Sequence, residues 1–146
     1  MNIKIVLEGK IKEPYFKLGI EEFKKRLTGY TSLKIIETGS ISDFIKTLVK
    51  ADTKINSYVI TLEIEGSPLS SPEFAQKIKN IETDGSYNEI IFLIGGSDGL
   101  PSNAKQISNF KFSMSKLTFL HQEAVFILIE QIYRAYKILN GETYHK

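Results

Sequence analysis

Residues 89–101 read Glu-Ile-Ile-Phe-Leu-Ile-Gly-Gly-Ser-Asp-Gly-Leu-Pro. The apolar run Ile90–Ile94 shows no alternation and is too short for a helix. It reads as the strand Glu89–Ile94, buried on both faces as strands of parallel sheets are. Two glycines stop it, and Pro101 suits the first turn of a following helix. A strand buried on both faces needs helices above and below it, which sets the expected class as α/β.

The neighbouring segments agree. Upstream, Ser57–Ile64 reads as a strand ending at Gly66, and Ser70-Ser71-Pro72-Glu73 as a helix start with capping serine, early proline and first-turn acid. Asn2–Leu7 alternates like a strand. Glu13-Pro14 opens a helix carrying Phe16, Ile20, Phe23 and Leu27 at helical spacing and closed by Gly29. Leu33–Glu37 is a short strand, and Ser42-Asp43 is expected to cap a helix with Phe44, Ile45, Leu48 and Val49 on one side. Downstream, Phe110–Met114 is a fifth strand and His121–Leu139 the longest helix, leaving a polar tail, Asn140–Lys146, of the kind that frays. Strands alternating with helices predict one domain, residues 1–146, with a mostly parallel sheet flanked by helices.

Composition narrows the chemistry. At 146 residues, with 42% hydrophobic and 25% charged, the chain is sized and composed as an ordinary globular domain. It has no cysteine, which excludes disulfides, thiolate metal sites and cysteine nucleophiles. Its two histidines, His121 and His145, are too few for a multi-histidine metal centre, so no metal is expected. The longest apolar runs, among them Ile90–Ile94 and Val125–Ile129, fall far short of the about 20 residues of a membrane span. The opening residues lack a signal peptide's pattern. A cytoplasmic protein without membrane partners is expected. The net charge of +2 is unevenly spread: residues 1–50 hold ten basic and six acidic residues, 51–100 three and eight, 101–146 six and three. That is not the charge of a DNA-coating protein.

In open parallel sheets, ligands bind beyond the carboxyl ends of the strands. Three segments fall there: Leu62–Gly66, Gly95–Gly99 and Met114–His121. The glycine segment lets a ligand approach the backbone, but it is neither a dinucleotide fingerprint nor a P-loop, and by itself it reads as a tight turn. Ser113–Thr118 reads as a connection with Thr118 as cap of the last helix, and no G-x-S-x-G elbow supports a catalytic serine. Arg134, one of two arginines among nineteen basic residues, can hold a phosphate with its planar fork or pair with Glu130 four residues earlier. His145 is a solvated terminal histidine unless Tyr144 docks the tail.

Taken together, Phe92–Leu100, Phe112–Phe119, His121-Gln122, Ile129–Ala135 and Gly141–Lys146 resemble the bacterial large-subunit rRNA methyltransferase H family. The opening strand, Phe23…Arg26-Leu27 and Thr61–Gly66 fit it as well, so the resemblance runs along nearly the whole chain. It implies a SPOUT-type α/β knot, with a C-terminal trefoil knot, in a homodimer. It further implies an enzyme that uses S-adenosyl-L-methionine to methylate N3 of a pseudouridine in 23S rRNA on the assembled ribosome. Carried over by position, cofactor contacts fall on Leu62, Gly95, Met114, Ser115, Lys116, Leu117, Thr118 and Phe119, and the catalytic positions on Arg134, Tyr144 and His145. Attack by a base nitrogen needs no cysteine adduct, in keeping with the composition. On this reading His145, or water held by it, helps remove the N–H proton while Arg134 steadies phosphate or developing charge.

Three positions depart from the family pattern. Leu120 stands where proline is usual, Glu123–Phe126 lacks a usual basic residue, and the connection Thr38–Asn56 is short. The second departure would shift RNA contact to lysines such as Lys105, Lys111 and Lys116. Rival readings are a non-catalytic RNA- or ribosome-binding protein of the same fold, a SPOUT enzyme acting at another RNA position, and an α/β enzyme binding a phosphorylated nucleotide.

Overall fold

A computed structural model of the chain describes residues 1–50 and 56–146. Part of the short connection Thr38–Asn56, residues 51–55, thus lies outside the described residues. Among the described residues, five strands form one sheet: β1 (Asn2–Glu8), β2 (Ser32–Thr38), β3 (Ser57–Pro68), β4 (Glu89–Ile94) and β5 (Phe110–Ser113). Five helices join them: α1 (Pro14–Leu27), α2 (Ile41–Lys50), α3 (Ser71–Thr83), α4 (Ser102–Ile107) and α5 (His121–Leu139). The sheet order is β2-β1-β4-β3-β5 and every pairing is parallel.

Every residue of β4 is buried. Successive side chains point to opposite faces of a strand. Ile90, Phe92 and Ile94 accordingly join the core beneath α1, α3 and α5, while Ile91 and Leu93 join the smaller core beneath α2 and α4. Burial of each such side chain contributes roughly 1.5–3 kcal/mol. Buried Glu89 at the foot of β4 is satisfied by Lys4 Nζ at 3.1 Å and the Ser57 hydroxyl at 2.7 Å. With its charge paired and hydrogen-bonded, its burial is tolerated.

Two helix starts bear directly on the sequence reading. Ser70 and Glu73 close a reciprocal capping box at the start of α3, with Pro72 in its first turn. At α2 the cap is Ser40, whose hydroxyl accepts from Asp43 N at 3.1 Å, so the helix begins before the expected Ser42-Asp43 pair. Val49, expected on the packed side of α2, is exposed.

β3 runs past its expected end. Its pairing with β5 slips between Leu62 and Ser67, both of which face Phe112. Residues 63–66 therefore bulge out of the ladder at the sheet's carboxyl end. Gly66 is part of this bulge and does not end the strand. A Cβ there would lie 2.6 Å from the Lys111 carbonyl oxygen, so only glycine allows β5 this close.

Candidate active site

The carboxyl ends of the adjacent strands β4, β3 and β5 enclose a cleft of about 590 Å³. All three segments singled out from the sequence converge on it. Leu62, Gly95, Met114, Ser115, Leu117, Thr118 and Phe119 line its wall. Lys116 does not: the Ser115 hydroxyl accepts from Leu117 N at 2.9 Å, closing a small turn that leaves Lys116 exposed on its outer side. Thr118 also does not cap α5, whose cap position is Leu120 with no side-chain hydrogen bond.

The β4 loop is a tight turn that also forms cleft wall. Gly99 N donates to the Gly96 carbonyl at 3.0 Å across Ser97-Asp98, and Gly99 adopts a φ of +77°. Gly95 lies against the returning chain; a Cβ on it would sit 2.5 Å from the Gly99 carbonyl carbon. The cleft is thus faced partly by bare backbone, with apolar walls from Leu62, Ile94, Phe112, Met114, Leu117 and Phe119.

Four further lining residues had no cofactor role assigned from the sequence, although Glu63, Glu65 and His121 lie in the segments expected at the strand ends and Lys105 was expected to meet RNA. Glu63 and Glu65 project from the β3 bulge, Lys105 comes from α4, and His121 stands at the start of α5. The Glu63 carboxylate accepts from the buried Thr61 hydroxyl at 2.7 Å. Their one signal was proximity to the strand ends. The bulge that turns both glutamates toward the cleft depends on pairing with β5, about fifty residues later in the chain. Val125, in the stretch where the resemblance led one to expect a basic residue, is fully buried and belongs to the core.

Arg134, Tyr144 and His145 form a second cluster. Glu130 is its hub: its carboxylate accepts from Arg134 Nε at 3.0 Å, from Arg134 Nη2, and from the Tyr144 hydroxyl at 3.3 Å. The Arg134 guanidinium lies 4.7 Å from the Tyr144 ring centroid, and Tyr144 packs edge-on to Tyr133 at 4.9 Å. Arg134 Nη1 is 3.1 Å from His145 Nδ1. A guanidinium can only donate, so Nδ1 accepts and a neutral ring carries its proton on Nε2. The tail that would have frayed is docked.

The hydrogen bond to Glu130 holds the Arg134 guanidinium above its ordinary pKa against the opposing effect of partial burial. Burial, then the Glu130 charge, raises the Tyr144 phenol, which is therefore a hydrogen-bond donor and no base at neutral pH. Cleft and tail cluster lie toward opposite ends of α5. His121 and Arg134 are thirteen positions apart, about 20 Å at the helical rise of 1.5 Å per residue.

The root of the tail is held by charge. Glu142 accepts from the Tyr30 hydroxyl at 2.7 Å and from Lys137 Nζ at 3.0 Å, and these two bonds lower its pKa below the ordinary 4.5. A carboxyl with a depressed folded-state pKa adds stability that is fully present above 4.5 and is lost as pH falls through the folded value. Wild type should therefore melt above Glu142→Gln at neutral pH, and the gap should close on acidification below 4.5. Melting curves across pH test this; a gap independent of pH would assign the effect to shape and not to charge.

Fold and cleft define an α/β protein with its binding site at the carboxyl edge of a parallel sheet. The chain belongs to the SPOUT methyltransferase family, whose model, described as "Predicted SPOUT methyltransferase", matches residues 1–145. It is 45% identical to the ribosomal RNA large subunit methyltransferase H of Clostridioides difficile (strain 630), over a 160-position alignment covering all of both chains. Identity and coverage are the same with the protein of that name from Finegoldia magna. Among solved structures, a probable methylase family protein from Haemophilus influenzae Rd KW20 superposes with a TM-score of 0.60 at 17% identity. The match covers 99% of this chain and 70% of that one, and shares the fold.

Proposed function

We propose that the protein is an S-adenosyl-L-methionine-dependent methyltransferase acting on N3 of a pseudouridine in 23S rRNA, in the cytoplasm, on the assembled ribosome. The observation that carries the reading is the convergence of the β3, β4 and β5 loops on one cleft. Its volume of about 590 Å³ lies in the range of small-molecule sites. The likeness to the rRNA methyltransferase H proteins supports large-subunit rRNA as the substrate class, and the nucleotide position is part of the proposal.

The cleft suits this cofactor. Its apolar walls fit an adenosine, bare backbone at Gly95–Gly99 supplies close polar contacts, and Glu63 and Glu65 complement a ligand with an ammonium and a sulfonium. Two carboxylates, with Lys105 the one lysine or arginine among the described residues of the lining, suit a phosphorylated nucleotide poorly. When bound, S-adenosyl-L-methionine supplies a sulfonium-activated methyl group. Leu62, Gly95 and the run Met114–Phe119 would hold it, with Lys116 on the outer side of its turn.

The tail cluster would serve the base. His145 Nε2–H is a donor suited to a carbonyl oxygen that gains negative charge as the neighbouring N–H proton leaves to water, while the Tyr144 hydroxyl, committed to Glu130, holds the cluster in place. In this geometry His145 stabilises charge, with Arg134 occupying the ring nitrogen that a proton acceptor would need. The separation of about 20 Å along α5 is bridged if the tail of one protomer serves the cleft of another. Exposed Leu117 and Leu120 beside the cleft, with Tyr15 and Leu18 exposed on α1, are apolar groups that a homodimer would cover. The reading includes that homodimer and the family's C-terminal knot.

Mass spectrometry of 23S rRNA from cells with and without the gene tests it. One N3-methylpseudouridine should vanish on deletion and return with the wild-type gene. An unchanged modification map would sink the proposal and favour a non-catalytic ribosome-binding protein.

A further inference from the structure

The chain uses lysine for seventeen of its nineteen basic residues, and both arginines lie on the same aromatic block. Arg134 stacks on Tyr144, as described. Arg26, at the end of α1, places its guanidinium carbon 5.1 Å from the Phe23 ring centroid and 5.7 Å from that of Tyr133. Tyr133 in turn packs against Tyr144. The two guanidinium groups therefore flank the Tyr133–Tyr144 pair. Their hydrogen bonding differs. Arg134 commits Nε and both terminal nitrogens to Glu130 and His145. Arg26 commits only Nε, to Glu22 at 3.0 Å, and its two terminal nitrogens have no partner among the described residues.

We propose that Arg26 is an RNA-phosphate contact, oriented by the Phe23–Tyr133 platform on the face that carries Arg134, Tyr144 and His145; this rests on reading the chain as an rRNA methyltransferase. The two ring contacts and the Glu22 bond to Nε hold the guanidinium while its two terminal nitrogens stay free, and such a fork takes a phosphate's two oxygens as lysine cannot. The side chain is 42% exposed, so the fork is open to a ligand, and Glu22, 53% exposed, holds it by an i,i+4 pair of small net strength. Lys24 and Lys25 share the last turn of α1 with Arg26, and Lys137, over the Tyr133 ring, is paired with Glu142. A backbone contact here positions the RNA on the face where its base is handled and carries no sequence information of its own.

Transfer of labelled methyl groups to large ribosomal subunits from cells lacking the gene tests this with the full-length enzyme. Wild type is measured first; absence of transfer to rRNA would reject the underlying reading before Arg26 is tested. Arg26→Ala should then raise KM for subunits about tenfold, with kcat, cofactor affinity and melting temperature near wild type. The slope of log(kcat/KM) against log[salt] should become shallower by about 0.7–0.9, the contribution of one phosphate contact. Arg26→Lys should recover the salt slope without recovering all of KM. Unchanged KM and slope in Arg26→Ala would overturn the proposal. So would a fall in cofactor affinity and melting temperature that parallels kcat, because it would make Arg26 a packing residue.

Discussion

Gly95→Ala is expected to lower affinity for S-adenosyl-L-methionine at least about 100-fold, roughly 2.7 kcal/mol, while the sheet stays folded. The added methyl would lie 2.5 Å from the Gly99 carbonyl carbon and 2.8 Å from both the Gly99 oxygen and Leu100 N. These are backbone atoms, which cannot swing aside as a flexible side chain could. The Gly96–Gly99 turn must move as a unit, and it is cleft wall. Beyond the end of β4 it can move without opening the core. Two other glycines separate this from a general glycine effect. At Gly99 a Cβ meets nothing within 4 Å, and alanine would carry only the strain of φ +77°, about 1–2 kcal/mol. At Gly85 there is likewise nothing within 4 Å and no positive φ, so alanine should be silent. Titration calorimetry with the cofactor, beside thermal melts, orders the three. Wild-type affinity in Gly95→Ala would remove the glycine turn from the binding site.

How far such a site can be read from sequence depends on the range of the interactions that make it. β4 and α5 begin and end at the residues expected, because each is bounded by local chemistry: glycines after Ile94, and an unbroken apolar face from Ala124 to Tyr136. The cleft followed from these elements by a general rule about parallel sheets. Errors arose where two local solutions compete. Ser40 and Ser42 can each cap α2, and the hydroxyl that reaches Asp43 N decides. Gly66 is an ordinary strand stop until Lys111 of β5 is known to press against it. Lys116 shares a loop with six cleft residues, and only the Ser115–Leu117 turn shows which way it faces. Docking of the tail was beyond local reasoning. It needs Tyr30, Glu130 and Tyr133, residues brought to Glu142 and Tyr144 by the packing of α1 on α5. What the family resemblance contributed was the expectation of a role for those tail positions, and the structure adds the hydrogen bonds that hold them.

His145→Ala should slow methyl transfer in single turnover about 10²–10³-fold, the typical cost of removing one preorganised donor, with cofactor affinity unchanged. Its ring is placed by Arg134 at Nδ1, and Arg134 is itself held by Glu130 and stacked on Tyr144, so the exposed Nε2–H is a preorganised donor. Retained rate would end its role in the chemistry. The same variant tests where that chemistry occurs. If each active site joins one protomer's cleft to the other's tail, a heterodimer of His145→Ala and Gly95→Ala subunits has one intact site: the cleft of the first with the tail of the second. Its other site is doubly damaged. Free exchange of equal amounts makes half the dimers mixed, so two inactive preparations should regain about one quarter of wild-type activity on mixing, as closed two-fold assembly requires. If a tail serves its own cleft, every site in every dimer keeps one defect and mixing restores nothing. The separation of about 20 Å between His121 and Arg134 along a straight α5 favours recovery: one helix cannot present both of its ends to the same base, whereas two copies related by a two-fold axis can.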